Sequence, residues 1–237
     1  MWEHLKQEQK EKYKTLITNF ASLSEAFSQK AEGEDSDDRE SYVAPIVNSK
    51  FQETVFQKAF HAVGEDIANT SYDASVVVDE QHKYLVGIKS FGLDSGDQKI
   101  AQFKKDSQSW NELLSEIRFH AEISPDKETA DKENRARYEK LAREIASLRN
   151  QRIESSKALI KGFHSDSSHV EAVYHVLMPT SKGHKPQIHV GETTYLPVDL
   201  DNLKILGSTT KNNPTNFRFT DGQHDYKYTA ADSQLHM

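Results

Sequence analysis

Residues 73–91 read DASVVVDEQHKYLVGIKSF, and this stretch sets the architecture. Ala74–Val78 is short and rich in β-branched side chains. Tyr84–Phe91 is a second apolar run, and the polar Asp79–Lys83 between them suits a tight turn. Two strands joined in this way predict an antiparallel hairpin. Lys89 stands near the end of the second strand, and a lysine among apolar neighbours is unfavourable unless its ammonium reaches solvent or a partner. Asp73 stands at the start of the first strand, so antiparallel pairing brings Asp73 and Lys89 to the same end of the sheet. A carboxylate and an ammonium converging there suit a metal ligand beside a cation, able to stabilise a nucleophilic water and a pentavalent phosphate. An ion pair at a sheet edge is the alternative reading of the same spacing.

Upstream, FQETVFQKAFHAVGEDIA (residues 51–68) places Phe51, Val55, Phe56, Ala59, Phe60 and Val63 at helical spacing, with Asn48 or Ser49 as N-cap. Before it lies AEGEDSDDRESY (residues 31–42), acidic and almost without apolar side chains, which reads as a solvated linker. Residues 2–31 carry Trp2, Leu5, Leu16, Phe20, Leu23 and Phe27 on one stripe, as an amphipathic helix does. That stripe is expected to pack on the body or on a second subunit, and against the long helix below in particular, in the same subunit or across a dimer.

Downstream, residues 97–119 return to helical spacing through Ile100, Phe103, Trp110, Leu113, Leu114 and Ile117, which puts Gln98, Lys99, Lys104 and Lys105 on one predicted helix. Residues 126–163 predict a long helix with Tyr138, Leu141, Ile145 and Leu148 along one seam. The final stretch is a series of short strand candidates separated by Gly, Pro, Asn and Asp. The expected organisation is an N-terminal helix (1–31), a linker (32–47), a core (48–125), a long helix (126–163) and a β-rich region (164–237).

Composition narrows the chemistry. The 237 residues include no cysteine, which excludes a disulfide scaffold, cysteine-ligated zinc, an iron–sulfur cluster and thiol catalysis. The net charge of −7 argues against a histone-like protein that coats nucleic acid, though a basic groove can coexist with acidic flanks. No apolar run approaches the ~20 residues of a membrane span, and the N-terminus lacks the apolar core of a secretory signal, so a soluble intracellular protein is expected. His164, His169, His184 and His189 lack the help of cysteine or a carboxylate cluster and read as ordinary imidazoles.

The order of these features resembles the PD-(D/E)XK nuclease superfamily, and the type II restriction endonucleases in particular. Glu53 in FQETVF, Asp73 in SYDASVVV, Gly87-Ile88-Lys89 in LVGIKSF and Gln98 in GDQKIAQF carry the resemblance. It implies an α/β (α+β) fold with a mixed central sheet flanked by helices, in a bacterial cytoplasmic protein. It implies a homodimer that cleaves double-stranded DNA at a specific sequence with magnesium (Mg2+). By that resemblance Asp73, Glu53 and the Ile88 carbonyl hold the metal, Lys89 positions the attacking water, and Gln98 holds a water or Lys89. Lys99, Lys104 and Lys105 would contact phosphates. The family's second acid stands two residues before the lysine, and here that position is Gly87. Glu53 and Gln98 are the candidates to replace it. Glu65, read as lying on the same helix about three turns beyond Glu53, is set aside.

Sequence readout is expected outside the core. Lys182, His184, Lys185 and Gln187 lie in one loop, and Asn212, Asn213, Asn216, Arg218, Gln223, His224 and Lys227 lie near the C-terminus. Such side chains pair with base edges. Two further readings stand beside the nuclease: a catalytically weak DNA-binding protein on the same fold, and a helical interaction or scaffold protein.

Overall fold

The computed structural model describes residues 1–27, 49–65, 71–93, 95–160, 170–180 and 187–237. The chain is α+β, with two five-stranded sheets. It forms two units, Met1–Ser95 with Ile153–Leu196, and Gly96–Arg152 with Pro197–Met237.

In the first unit a 3-10 turn, Trp2–His4, precedes α1 (Gln7–Phe27), followed by α2 (Ser49–Phe60). Helix α2 ends where His61 takes a left-handed φ of 56° and the Ala62 N–H bonds the Gln57 carbonyl at 3.1 Å, a Schellman closure. The chain then turns extended as β1 (Val63–Gly64), β2 (Ala74–Val77) and β3 (Lys83–Ser90). The hairpin pairs Ala74 with Val86 and Val77 with Lys83. Strand β3 also runs parallel to β5 (Val170–Pro179), which pairs antiparallel with β6 (Ile188–Thr194). The order is β1-β2-β3-β5-β6. Alternation puts Ala74, Val76, Tyr84, Val86 and Ile88 on one face, where they share a core with Val55, Phe56, Ala59 and Phe60 of α2 and Tyr13 and Ile17 of α1. The opposite face carries Asp73, Ser75, Leu85, Gly87 and Lys89.

The second unit holds β4 (Lys99–Gln102), a 3-10 turn (Ser107–Trp110), α3 (Asn111–Ile123), the Lys127–Arg152 part of α4 (Lys127–Leu159), and β7 (Lys204–Thr210), β8 (Asn213–Thr220), β9 (Asp225–Thr229) and β10 (Gln234–His236). Its sheet is antiparallel, in the order β4-β10-β9-β8-β7. Phe217, Phe219, Tyr226, Tyr228 and Leu235 form its inner face, packed with Trp110, Leu114, Ile117, Tyr138, Leu141 and Ile145. Tyr138 stacks on Phe217 at 4.9 Å and its hydroxyl donates to the Pro214 carbonyl at 2.8 Å.

Three readings of the sequence are corrected here. Residues 97–110 are not part of a helix. Lys99–Gln102 is a strand paired with β10, because the chain's last strand offers ladder partners that outweigh the helical spacing of Ile100 and Phe103. Lys99, Lys104 and Lys105 therefore share no helix face; Lys104 and Lys105 sit exposed in the turn that follows. The C-terminal strands do not form one region, since β5 and β6 complete the first sheet and β7–β10 the second. Finally, Tyr13, Leu16 and Ile17 of α1 pack with α2 and the first sheet, while the side chains of Phe20, Leu23 and Phe27 lie outside the described residues. The linker residues 31–42, together with Lys182, His184 and Lys185, lie outside the described residues. Among the described residues, no helix is long and apolar enough to cross a membrane.

Candidate active site and its surroundings

Asp73 lies just before β2 and continues its ladder, its N–H bonding the Val86 carbonyl at 2.9 Å. Its Oδ2 accepts the Ile88 N–H at 2.6 Å and lies 3.6 Å from Lys89 Nζ. Both side chains are about a quarter exposed, at 24% each, so the pair opens to solvent. Ile88 stands past the last β2 residue paired with β3. Its N–H turns to the aspartate, and by the alternation of the ladder its carbonyl is directed to the same edge. Lys89 Nζ also stands 5.9 Å from the Tyr174 ring centroid.

Gly87, the departure from the family pattern, has a steric cause. Its register partner is Tyr174. Tyr174 stacks on Tyr195 at 3.9 Å and 17°, and a Cβ at Gly87 would stand 3.0 Å from both rings. The stack is fixed in turn by the Tyr195 hydroxyl, which donates to the Ser71 carbonyl at 3.0 Å. A side chain at this position is crowded by both rings, which must give by a few tenths of an ångström to admit it.

A carboxylate comes from the other side. The Glu65 N–H bonds the Asp73 carbonyl at 3.2 Å, which places Glu65 opposite Asp73 as β1 is extended by one residue. Ser75 Oγ donates to Glu65 Oε1 at 2.5 Å. Asp73 and Ser75 are two apart on a strand and share a face, so the Glu65 carboxylate belongs to the face of Asp73 and Lys89. The helical measure that set Glu65 aside fails because α2 has already ended at Phe60. The Val-Gly dipeptide after the helix was the available signal. Glu53 stays on α2, paired with Lys50 at 3.0 Å, and α2 covers the opposite sheet face.

In the second unit, Gln98 pairs with Met237 through both backbone bonds, at 2.8 and 2.9 Å, and its amide donates to the Lys99 carbonyl at 3.3 Å. Arg218 and Lys227 are register partners and both bind Asp97, at 3.0 and 2.8 Å. Burial pushes the Asp97 carboxyl up, but Lys227 and Arg218 hold it below its ordinary value. Asn216 Oδ1 accepts the Ala230 N–H at 2.9 Å. In the first unit, Gln187 closes the β5–β6 connection, its N–H bonding Thr180 Oγ1 at 3.1 Å. Asn213, Gln223 and His224 use their backbone N–H groups inside turns.

Among the described residues no group of three or more His, Cys, Asp or Glu could hold a metal ion. The donors at the Asp73 site are two carboxylates and a carbonyl, all hard oxygens. They fit magnesium, which keeps several waters and takes one or two carboxylates plus substrate phosphates, better than zinc, which favours nitrogen and sulfur. The sequence matches no family model and no curated protein, and the fold matches no solved structure.

Proposed function

We propose that the protein is a magnesium-dependent endonuclease of the type II restriction kind, hydrolysing phosphodiester bonds of double-stranded DNA at a specific sequence. The observation that carries this reading is the convergence of Asp73 and Lys89, 3.6 Å apart, at the open end of a hairpin in a mixed sheet. The resemblance places an acid and a lysine at this position. Asp73, Glu65 and the Ile88 carbonyl would hold the metal, with Glu65 in the part of the acid absent at Gly87. When bound, magnesium supplies Lewis-acid stabilisation of charge on the phosphate. Asp73 Oδ2 and the Tyr174 ring orient Lys89. Its ammonium balances charge on the scissile phosphate and holds the attacking water by donating a hydrogen bond to it.

Incubation of the purified protein with mixed genomic DNA and magnesium, followed by sequencing of the ends, tests the proposal. Discrete ends at one short sequence are expected; DNA left intact in both magnesium and manganese overturns it. A second reading, a DNA-binding protein of weak activity, is favoured by one observation. Gly87 supplies no acid, and the tyrosine stack crowds the space where one would stand. Sequence-specific binding without cleavage in either metal is the result that selects it.

A further inference from the structure

The outer face of the second sheet is organised in rows. Register pairs Arg218 with Lys227 and Lys227 with His236, and His236 with Lys99. One row of basic side chains crosses β8, β9 and β10 and reaches Lys99 of β4 across a register shift between Leu235 and His236. Three cations stand beside Asp97, which bridges Arg218 and Lys227; the row on their other side carries Thr220 and the exposed Asp225. The field at the row is felt by His236. Burial lowers its pKa first, Lys227 and Lys99 lower it further, and Asp97 only opposes them. The neighbouring row is uncharged and rich in hydrogen-bonding groups, with Thr229 opposite Gln234 and Gln234 opposite Gln102, and Asn216, whose Oδ1 accepts the Ala230 N–H, next to them on β8. Thr229 Oγ1 lies 3.4 Å from His236 Nε2, which ties the two rows to the same face. The aromatic side chains between them point into the core.

We infer that this face is a docking surface for the sugar–phosphate backbone of a DNA duplex. The choice of DNA as the polyanion rests on the nuclease reading; the anion-binding face itself does not. Strands lie about 4.8 Å apart, so the row extends about 14 Å and can meet successive phosphates of one strand. Asp97 holds Arg218 and Lys227 in fixed positions, which lowers the entropic cost of presenting them. It is also the counter-charge that a phosphate competes with. The amide-bearing row beside the cations can donate to phosphate oxygens or base edges.

The test is binding of the full chain to a short labelled DNA duplex in EDTA, read by fluorescence anisotropy over a salt series. Lys99→Glu changes an exposed side chain and is expected to weaken binding about tenfold and to reduce the log–log salt slope by about one or more. Asp97→Asn removes the counter-charge and is expected to tighten binding several-fold. Lys12→Glu, exposed on α1 of the first unit, is expected to change neither. Unchanged affinity in Lys99→Glu overturns the inference, as does poly-glutamate competing as well as DNA, which would identify an acidic protein as the partner. A melting temperature recorded for each variant separates misfolding from lost contacts. Failure of the nuclease reading is distinguishable: the wild type then binds duplex in EDTA with these variant effects, yet leaves it uncut in magnesium.

Discussion

Lys89 and Asp73 separate catalysis from stability at the scale of single residues. Their 3.6 Å pair is a quarter exposed on both sides, and such pairs contribute about 1 kcal/mol or less. In Lys89→Ala the aspartate retains the Ile88 N–H at 2.6 Å, so no charge is stranded. The variant is expected to melt within about 1 kcal/mol of the wild type and to keep its affinity for duplex in calcium, while cleavage in magnesium falls by orders of magnitude. Joint loss of folding and cleavage would make Lys89 a structural residue. The second acid is decided by Glu65→Gln against Glu53→Gln. Glu65 shares the face of Asp73 through Ser75, whereas Glu53 is held by Lys50 on α2. Calorimetric titration with manganese is expected to show weaker binding for Glu65→Gln and none of that loss for Glu53→Gln; the reverse pattern returns the ligand to the helix. The meeting of Asp73 with Lys89 is legible in the sequence because it is a property of one hairpin. The place of Glu65 opposite Asp73 is not, because it depends on where α2 stops, and a positive φ at His61 leaves little trace in composition.

Elements were read best where one segment buries its own pattern. The hairpin, α2 and the long helix α4 follow from local periodicity, and their apolar positions are those of the two cores. Strand β4 was misread because its partner is β10, more than a hundred residues away, and no local period encodes such a pairing. The β8–β9 turn is fixed by one carboxylate, for the Gln223 and His224 N–H groups bond Asp221 Oδ1 at 3.0 and 2.8 Å. Asp221 Oδ2 takes the Tyr226 hydroxyl at 3.1 Å and the Asp199 N–H at 3.3 Å, while Gly222 supplies a φ of 84°. Burial pushes the Asp221 carboxyl up, but the His224, Gln223 and Asp199 N–H groups and Tyr226 hold it below its ordinary value. A depressed carboxyl stabilises the fold above the usual carboxylate range and loses that contribution as pH falls through its own pKa. Asp221→Ala is expected to cost about 1–3 kcal/mol near neutral pH, with the gap to wild type narrowing in acid. Denaturant melts over a pH series measure it, and a gap independent of pH would show that the carboxylate's charge is not what holds the turn.

For the whole molecule, the decisive quantity is the number of active sites. Among the described residues each chain offers one convergence of Asp73 with Lys89, and severing a duplex takes two hydrolyses. Either two chains act together about a two-fold axis, as symmetric oligomers do, or one chain nicks twice. Tyr13 and Ile17 of α1 and Tyr138, Leu141 and Ile145 of α4 are buried in the chain's own cores, so these positions do not call for a partner, and dimerisation is to be shown through its chemistry. If two chains act together, the wild type converts supercoiled plasmid straight to linear product. An equimolar mixture with Lys89→Ala, after subunit exchange, then contains mixed dimers that cut one strand only, and nicked circles accumulate with the mixed-dimer fraction, which is greatest at equal amounts of the two chains. A single chain acting twice gives nicked circles with the wild type alone, and adding Lys89→Ala only slows the reaction through competition for DNA. The yield of nicked product against the fraction of inactive chain, at constant total protein, therefore separates the two arrangements, and a wild type that releases nicked circles as its first product would exclude the concerted dimer.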